Sequence, residues 1–233
     1  MLSIITINKD NRIGLQKTID SLRQLRERDY QWVCIDSVST DGSVELANQF
    51  KAPHDVVISE KDTGIYNAMN KGIGLAKGDY ILFLNSGDTL SSQILSLDVI
   101  KPVVGKDLGL FGFAIRNAQR KPRSNSWRFW SMPTSHQAIV YSSQLLKQNL
   151  FDESYRFAAD FEHYLRINRT HLSIYSNDQA LIVNEPYGSD SHLPVLLNEY
   201  RHALIKNGYP RLWAHFVYWL KTYYLKWALR ERA

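Results

Sequence analysis

The segment Ile81–Leu90, ILFLNSGDTL, runs from an apolar stretch straight into a polar turn that carries one carboxylate, Asp88. An acid at the carboxyl end of a central parallel strand lies where open α/β sheets bind ligands. A carboxylate there can hold Mg²⁺ or Mn²⁺ against a diphosphate, offsetting the charge of a departing phosphate. Asn, Ser, Gly and Asp are also turn formers, so the segment taken alone reads more readily as a plain turn. Its company separates the two readings. Polar groups close the three preceding apolar runs as well: Thr6 and Asn8, then Asp36, then Glu60 and Asp62, ahead of Asn85 and Asp88. Four consecutive strand ends of this kind predict a ligand crevice along one edge of a sheet.

The elements that must hold these groups follow from periodicity. Leu2–Ile7, Trp32–Ile35, Val56–Ser59 and Tyr80–Leu84 predict strands. Between them, Arg12–Arg28 spaces Leu15, Ile19, Leu22 and Leu25 as one helical face, Ser43–Phe50 predicts a short helix started by Asp41 or Ser43, and Ile65–Ala76 repeats small or apolar residues on one face. The alternation predicts an α/β fold with a mostly parallel central sheet covered on both faces by helices. In the second half, Leu108–Ile115, Ala138–Tyr141 and Ala180–Val183 predict strands, and Ser124–Ser135 a loop rich in Trp and Arg. Phe161–Asn168 predicts a helix. No repeat or low-complexity linker intervenes, so residues 1–205 read as one domain of two halves, 1–90 and 91–205. An aromatic and basic helical extension follows at 206–233.

A chain of 233 residues can bury a sizeable core. The single cysteine, Cys34, excludes an internal disulfide and suggests a reducing compartment. Neither a signal peptide nor a membrane-spanning run is expected, so the predicted location is cytoplasmic. A formal charge of +5 fits an anionic substrate or an anionic membrane surface without requiring nucleic acid.

The set SIITIN, CIDSVSTDGS and SEKDTGIYNAMNKGIGLAKGDYILFLNSGD resembles the nucleotide-sugar half of a GT-A, family 2 glycosyltransferase. SHQAIVY (Ser135–Tyr141) and AADFEHYLR (Ala158–Arg166) resemble the acceptor half of bacterial polysaccharide enzymes in that family, of the colanic-acid exopolysaccharide type. The resemblance covers roughly residues 2–192, and Ser59–Asp88 is its most specific part. It implies a GT-A, Rossmann-like sheet. It also implies inverting transfer from a nucleotide-sugar donor, UDP-linked, to a saccharide acceptor, lipid-linked, in surface polysaccharide biosynthesis.

The same resemblance implies roles. Asp36 accepts from the uracil imide, which suits an acceptor-only carboxylate, and Thr6 and Asn8 flank the base and ribose. Where the family commonly has Gly-Gly after this acid, Ser37-Val38 stands here, and Val38 is expected to narrow the base pocket. Asp62 and the GIYNAMNKG helix line the donor pocket, with Lys71 as a cation or else a solvated face. The common Asp-x-Asp motif is reduced to Asn85-Ser86-Gly87-Asp88, so Asp88 alone ligates the metal and affinity without nucleotide should be weak. Asn85 holds ribose or a metal-bound water, and His192 reaches the diphosphate or metal. His136 and Gln137 fall near the acceptor. Asp160 is the expected base, taking the acceptor hydroxyl proton as it attacks the anomeric carbon through an oxocarbenium-like transition state. Asp160 also reads as a helix N-cap, and Glu162 is the alternative base.

The terminal run RLWAHFVYWLKTYYLKWALRER mixes aromatics with cations, as membrane interfaces do. Lys221, Lys226, Arg230 and Arg232 would meet anionic lipid on the inner face of the cytoplasmic membrane. The apolar residues wrap more than one face, so docking on the domain or dimerisation is the alternative. Two other classes stay open. A nucleotidyltransferase would need a glycine-rich phosphate loop near the first strand, which INKDNRIG is not, and a non-catalytic saccharide-binding protein would also use the aromatics.

Overall fold

The computed structural model describes residues 1–116, 118–186 and 192–230, with backbone alone for 227–230. In chain order the elements are β1 (Leu2–Asn8), α1 (Arg12–Arg23), β2 (Tyr30–Asp36), α2 (Ser43–Phe50), β3 (Val56–Ser59), α3 (Ile65–Leu75), β4 (Tyr80–Phe83) and β5 (Thr89–Leu90). They continue with β6 (Leu108–Ile115), β7 (Ala118–Arg120), β8 (Ile139–Ser142), α4 (Ser143–Gln148), α5 (Ala159–Ile167), β9 (Ile174–Asn184), α6 (Leu193–Lys206) and α7 (Arg211–Arg230).

The strands form one sheet in the order β3-β2-β1-β4-β8-β6-β9-β5, with β7 hairpinned onto β6. β1 pairs in parallel with β2 and β4, β2 with β3, and β6 with β9. β8 runs antiparallel between β4 and β6, and β5 antiparallel on β9. The carboxyl ends of β1, β2, β3, β4, β6 and β9 therefore share one edge. The reversed β8 and β5 bring their amino ends, and so His136 and Asp88, to that same edge.

Alternation along the strands divides the core. Ile5, Val33, Ile35 and Phe83 pack under α3, α5 and α6, while Ile4, Trp32, Cys34 and Leu82 pack under α1 and α2. Each such large side chain contributes about 1.5–3 kcal/mol by leaving water, and burial on both faces is why these strands read as unbroken apolar runs. Burial also pushes the Cys34 thiol far up, leaving it inert.

Several boundaries differ from the sequence reading. α1 stops at Arg23 rather than Arg28, and the guanidinium of Arg28 instead pairs with the buried Asp55 and stacks over Phe50. The last strand is longer than Ala180–Val183, because pairing with β6 extends it back to Ile174. α5 begins at Ala159, so Asp160 lies inside its first turn and is not the cap. The cap position is Ala158, and Glu199 of α6 accepts the N–H groups of Arg156, Phe157 and Ala158.

The extension is a second helix turned back on α6. Gly208, at φ 89, takes the left-handed position between them. The Tyr209 N–H reaches Leu204 O and the Gly208 N–H reaches Ile205 O, a Schellman stop.

Candidate active site

Asp88 stands where β4 gives way to β5 and is 7% exposed. Its Oδ1 accepts from Asn184 Nδ2 at 3.2 Å and from the Glu185 N–H at 2.9 Å, both at the end of β9. Burial raises its pKa to about 6, against the pull of these two donors, and the Glu185 carboxylate adds to the rise. Asn184 Oδ1, on the amide that donates to Asp88, and Asn85 Oδ1, three residues before it in the same turn, are both buried without partners. An uncharged buried acceptor left unpaired is costly, and oxygen donors around one carboxylate suit a hard divalent cation completed by phosphate and water. Among the described residues no three His, Cys, Asp or Glu side chains gather to hold a metal by themselves.

Asp36 is 1% exposed and fully engaged. Oδ1 accepts from Asn8 Nδ2 at 2.8 Å and Ser39 Oγ at 2.5 Å; Oδ2 accepts from the Ser39 N–H and Ser59 Oγ, each at 2.8 Å. Burial alone would raise its pKa, but the Ser39, Asn8 and Ser59 donors outweigh it and hold the carboxyl below its usual range. Asp36 thus organises the loop over β1–β3, and the Asn8 amide serves it. That loop puts Val38 at φ 52 and half exposed at the crevice edge, a conformation costly for a β-branched residue.

Thr6 does not reach the crevice. It is fully buried, its hydroxyl donates to Leu84 O at 2.8 Å, and it accepts from Trp32 Nε1 at 2.9 Å. Lys71 is likewise committed, to Lys61 O and the Glu60 carboxylate, both at 2.7 Å, where it braces the loop that carries Asp62. Asp62 accepts from the Gly64 N–H at 3.0 Å and shapes the turn into α3. The Asn70 amide ties α3 to the acceptor half through Phe151 and Glu153.

Asp160 Oδ1 accepts from the Tyr66 hydroxyl at 3.1 Å. Burial raises the Asp160 pKa, opposed by the Phe161 N–H and by Tyr66. Glu162 points elsewhere: it is wholly buried and bonded to Arg166 Nε at 3.2 Å, with Lys206 at 3.5 Å. Two residues along a helix face opposite ways, so Glu162 is a core ion-pair member and not an alternative base.

His136 is also a core residue. It is 6% exposed, its Nδ1 lies 3.1 Å from the Tyr141 hydroxyl, and Phe83 and Phe151 enclose its ring. Burial lowers its pKa to about 3, so it stays neutral among these rings. Gln137 is half-buried and accepts from Ser135 Oγ at 2.6 Å. His192 stacks on Phe157 at 4.9 Å, beside the start of α5.

A family model described as glycosyl transferase family 2 matches residues 3–162. The chain belongs to that family. An uncharacterized glycosyltransferase of Mycobacterium tuberculosis is 32% identical over 177 residues, 71% of this chain and 68% of that protein. S. aureus TarS in complex with UDP-GlcNAc aligns at a TM-score of 0.68 with 16% identity, over 93% of this chain and 70% of its own. The mannosyltransferase PcManGT from Pyrobaculum calidifontis, in complex with GDP-Man and Mn²⁺, aligns at 0.68 with 16% identity, over 92% and 68%. The fold of this family 2 glycosyltransferase is accordingly GT-A, and membership sets aside the nucleotidyltransferase and the non-catalytic binder.

Three groups of this family 2 glycosyltransferase escape the sequence reading. Asn184 and Glu185 follow the apolar run ALIV and carry the same strand-end signal as Asp36 and Asp88. Tyr66 lies on the core stripe of α3, and nothing local marks its hydroxyl as a partner of Asp160. Ser39 and Ser59, which saturate Asp36, read only as loop residues.

Proposed function

We propose that the protein is an inverting glycosyltransferase that moves a sugar from a UDP-linked donor to a lipid-carried saccharide in bacterial surface polysaccharide assembly. The observation that supports this most is the Tyr66–Asp160 pair, 3.1 Å apart, at the mouth of the helix that follows the acceptor wall. Asp160 takes the acceptor hydroxyl proton while that oxygen attacks the anomeric carbon and the nucleoside diphosphate leaves. A raised carboxylate pKa suits a base that must hold the proton it removes. Attack by the acceptor oxygen on the face opposite the departing diphosphate is a single displacement, which inverts the anomeric centre.

Asp88, with the unpaired oxygens of Asn85 and Asn184, would hold Mg²⁺ or Mn²⁺, which when bound supplies positive charge to the leaving diphosphate. The Asp36 loop, with Asn8 and Val38, receives the base. Asp62 and Asn85 line the sugar and ribose side, Gln137 lines the acceptor side, and His192 reaches toward the diphosphate or metal.

The working location is the inner face of the cytoplasmic membrane. No helix among the described residues is long and apolar enough to cross one, and α7 presents an exposed aromatic face: Leu212, Phe216, Trp219 and Tyr223 are 87, 50, 64 and 65% exposed. Its opposite face, with Ala214, Val217 and Lys221, is buried on the domain. Lys221 therefore does not meet lipid. Its Nζ donates to Trp130 O at 2.5 Å and lies 3.8 Å from the Tyr200 ring centre, and burial lowers its pKa to about 7. Lys226 is exposed, while the Trp227 and Arg230 side chains and all of Arg232 lie outside the described residues.

The test is a screen of nucleotide sugars by thermal shift with Mn²⁺, followed by transfer to a lipid-linked oligosaccharide and determination of the product anomer by NMR. An inverted product is expected. A retained anomer, or no donor recognised, would overturn the reading.

A further inference from the structure

A cavity of about 460 Å³ opens at the far end of α5 from Asp160, lined by Arg128, Asn168, Arg169, Asn207, Gly208 and Pro210 among others. α5 runs seven residues past Asp160 to Ile167, about 10 Å along its axis at 1.5 Å each, and the cavity opens beyond that end. It is thus distinct from the crevice.

Two guanidiniums face this cavity without a carboxylate. Arg128 is half-buried, and among the described residues its guanidinium donates from Nη1 to Asn125 O at 3.3 Å. Among the described residues neither arginine makes an ion pair, and nearby Glu162 is already taken by Arg166 and Lys206. The cavity wall at Gly208–Pro210 is the turn that starts α7. That first turn carries no acid, so its free N–H groups add positive potential. Arg169 Nη2 lies beside this turn, 4.0 Å from where a Cβ on Gly208 would stand. Guanidiniums beside a helix start recognise phosphate oxygens better than a diffuse anion, through bidentate hydrogen bonds.

The rim is apolar and exposed. Phe129, next to Arg128, stacks on Trp127 at 5.7 Å and meets Trp213 of α7 edge-on at 5.6 Å, and Trp213 continues to Phe216 at 5.6 Å. Trp219 and Tyr223 carry the ridge along α7. A polar anion pocket bordered by a ridge of exposed rings is complementary to a molecule that is phosphate at one end and hydrocarbon at the other.

We propose that Arg128 and Arg169 bind the phosphate of an anionic phospholipid in the bilayer, while the Phe216–Trp219–Tyr223 face of α7 enters the headgroup boundary. This rests on the membrane-surface part of the proposed function and names the lipid group it reads.

The experiment is co-sedimentation of the full chain with vesicles of phosphatidylcholine alone, of phosphatidylcholine with phosphatidylglycerol, and of phosphatidylcholine with oleate at matched surface charge. The proposal expects binding to phosphatidylglycerol vesicles at least tenfold above the other two. Arg128→Gln with Arg169→Gln should abolish that preference, since oleate vesicles of matched charge share the general electrostatic attraction and lack only the phosphate that the guanidiniums hold. Trp219→Ser with Tyr223→Ser should weaken binding to every vesicle. Unfolding curves should match the parent for both double variants, which keeps loss of fold apart from loss of binding. Equal binding to oleate vesicles, or an arginine variant that binds like the parent, would overturn the proposal. Donor hydrolysis measured in solution without vesicles tests the transferase reading independently, and its failure would leave the vesicle result standing.

Discussion

The Tyr66 hydroxyl donates to Asp160 Oδ1 at 3.1 Å, joining α3 to α5 across 94 positions of sequence. Burial raises the pKa of both groups. The bond therefore serves the ionised carboxylate, and removing it should raise the Asp160 pKa further. Tyr66→Phe is expected to keep the fold and shift the acid limb of the kcat/KM profile to higher pH. A profile that falls in rate without moving along the pH axis would make Tyr66 a packing residue only.

Asp88 carries a cost in the ligand-free protein. Its folded pKa of about 6 exceeds the ordinary carboxylate value, so the folded state binds more protons between about pH 4 and 6, and stability is lost as pH rises through that window. Two pH units correspond to about 3 kcal/mol at most. Asp88→Asn should therefore stabilise the ligand-free protein at pH 7 by about 1–3 kcal/mol, with the gain disappearing below about pH 4. Urea titrations at pH 7 and pH 4 measure this, and an Asn variant less stable than the parent at pH 7 would contradict it.

The two buried histidines act in the opposite sense. His136 and His163 both have pKa values lowered to about 3 by burial. The unfolded chain takes up their protons first, so their stabilisation is complete above about pH 6.5 and is lost as pH falls toward 3. With Asp88 partly compensating, the protein should lose about 2 kcal/mol between pH 7 and pH 5. His136→Phe should flatten that slope in urea midpoints, and an unchanged slope would mean that another group governs acid sensitivity.

Much of this was legible in the sequence, for a physical reason. Parallel strands buried on both faces appear as plain apolar runs, and the polar residues that end them are conspicuous, which located Asp36, Asn85 and Asp88. Thr6 misleads because it lies within β1 rather than beyond it, where Trp32 covers it. Lys71 and Lys221 mislead because their partners, Glu60 and the Tyr200 ring, come from other elements. Tyr66 is invisible for the same reason, its partner being 94 positions away. Asn184 was within reach, since it too ends an apolar run.

Val38 is the β-branched residue with positive φ in the Asp36 loop. Such strain costs about 1–3 kcal/mol, part of which glycine returns as backbone entropy. Val38→Gly should raise stability by about 1 kcal/mol by denaturant titration and narrow the difference in affinity between UDP and GDP. A destabilised variant would mean that the side chain packs usefully at the crevice edge.

The most direct test is calorimetric titration of UDP with and without Mn²⁺ into the parent, Asp88→Asn and Asp160→Asn, with transfer rates measured alongside. The account predicts metal-dependent binding in the parent, its loss in Asp88→Asn, and intact binding in Asp160→Asn together with a 10²–10⁴-fold fall in transfer. UDP binding that ignores both Mn²⁺ and Asp88, or an Asp160→Asn variant that transfers sugar at the parental rate, would contradict it.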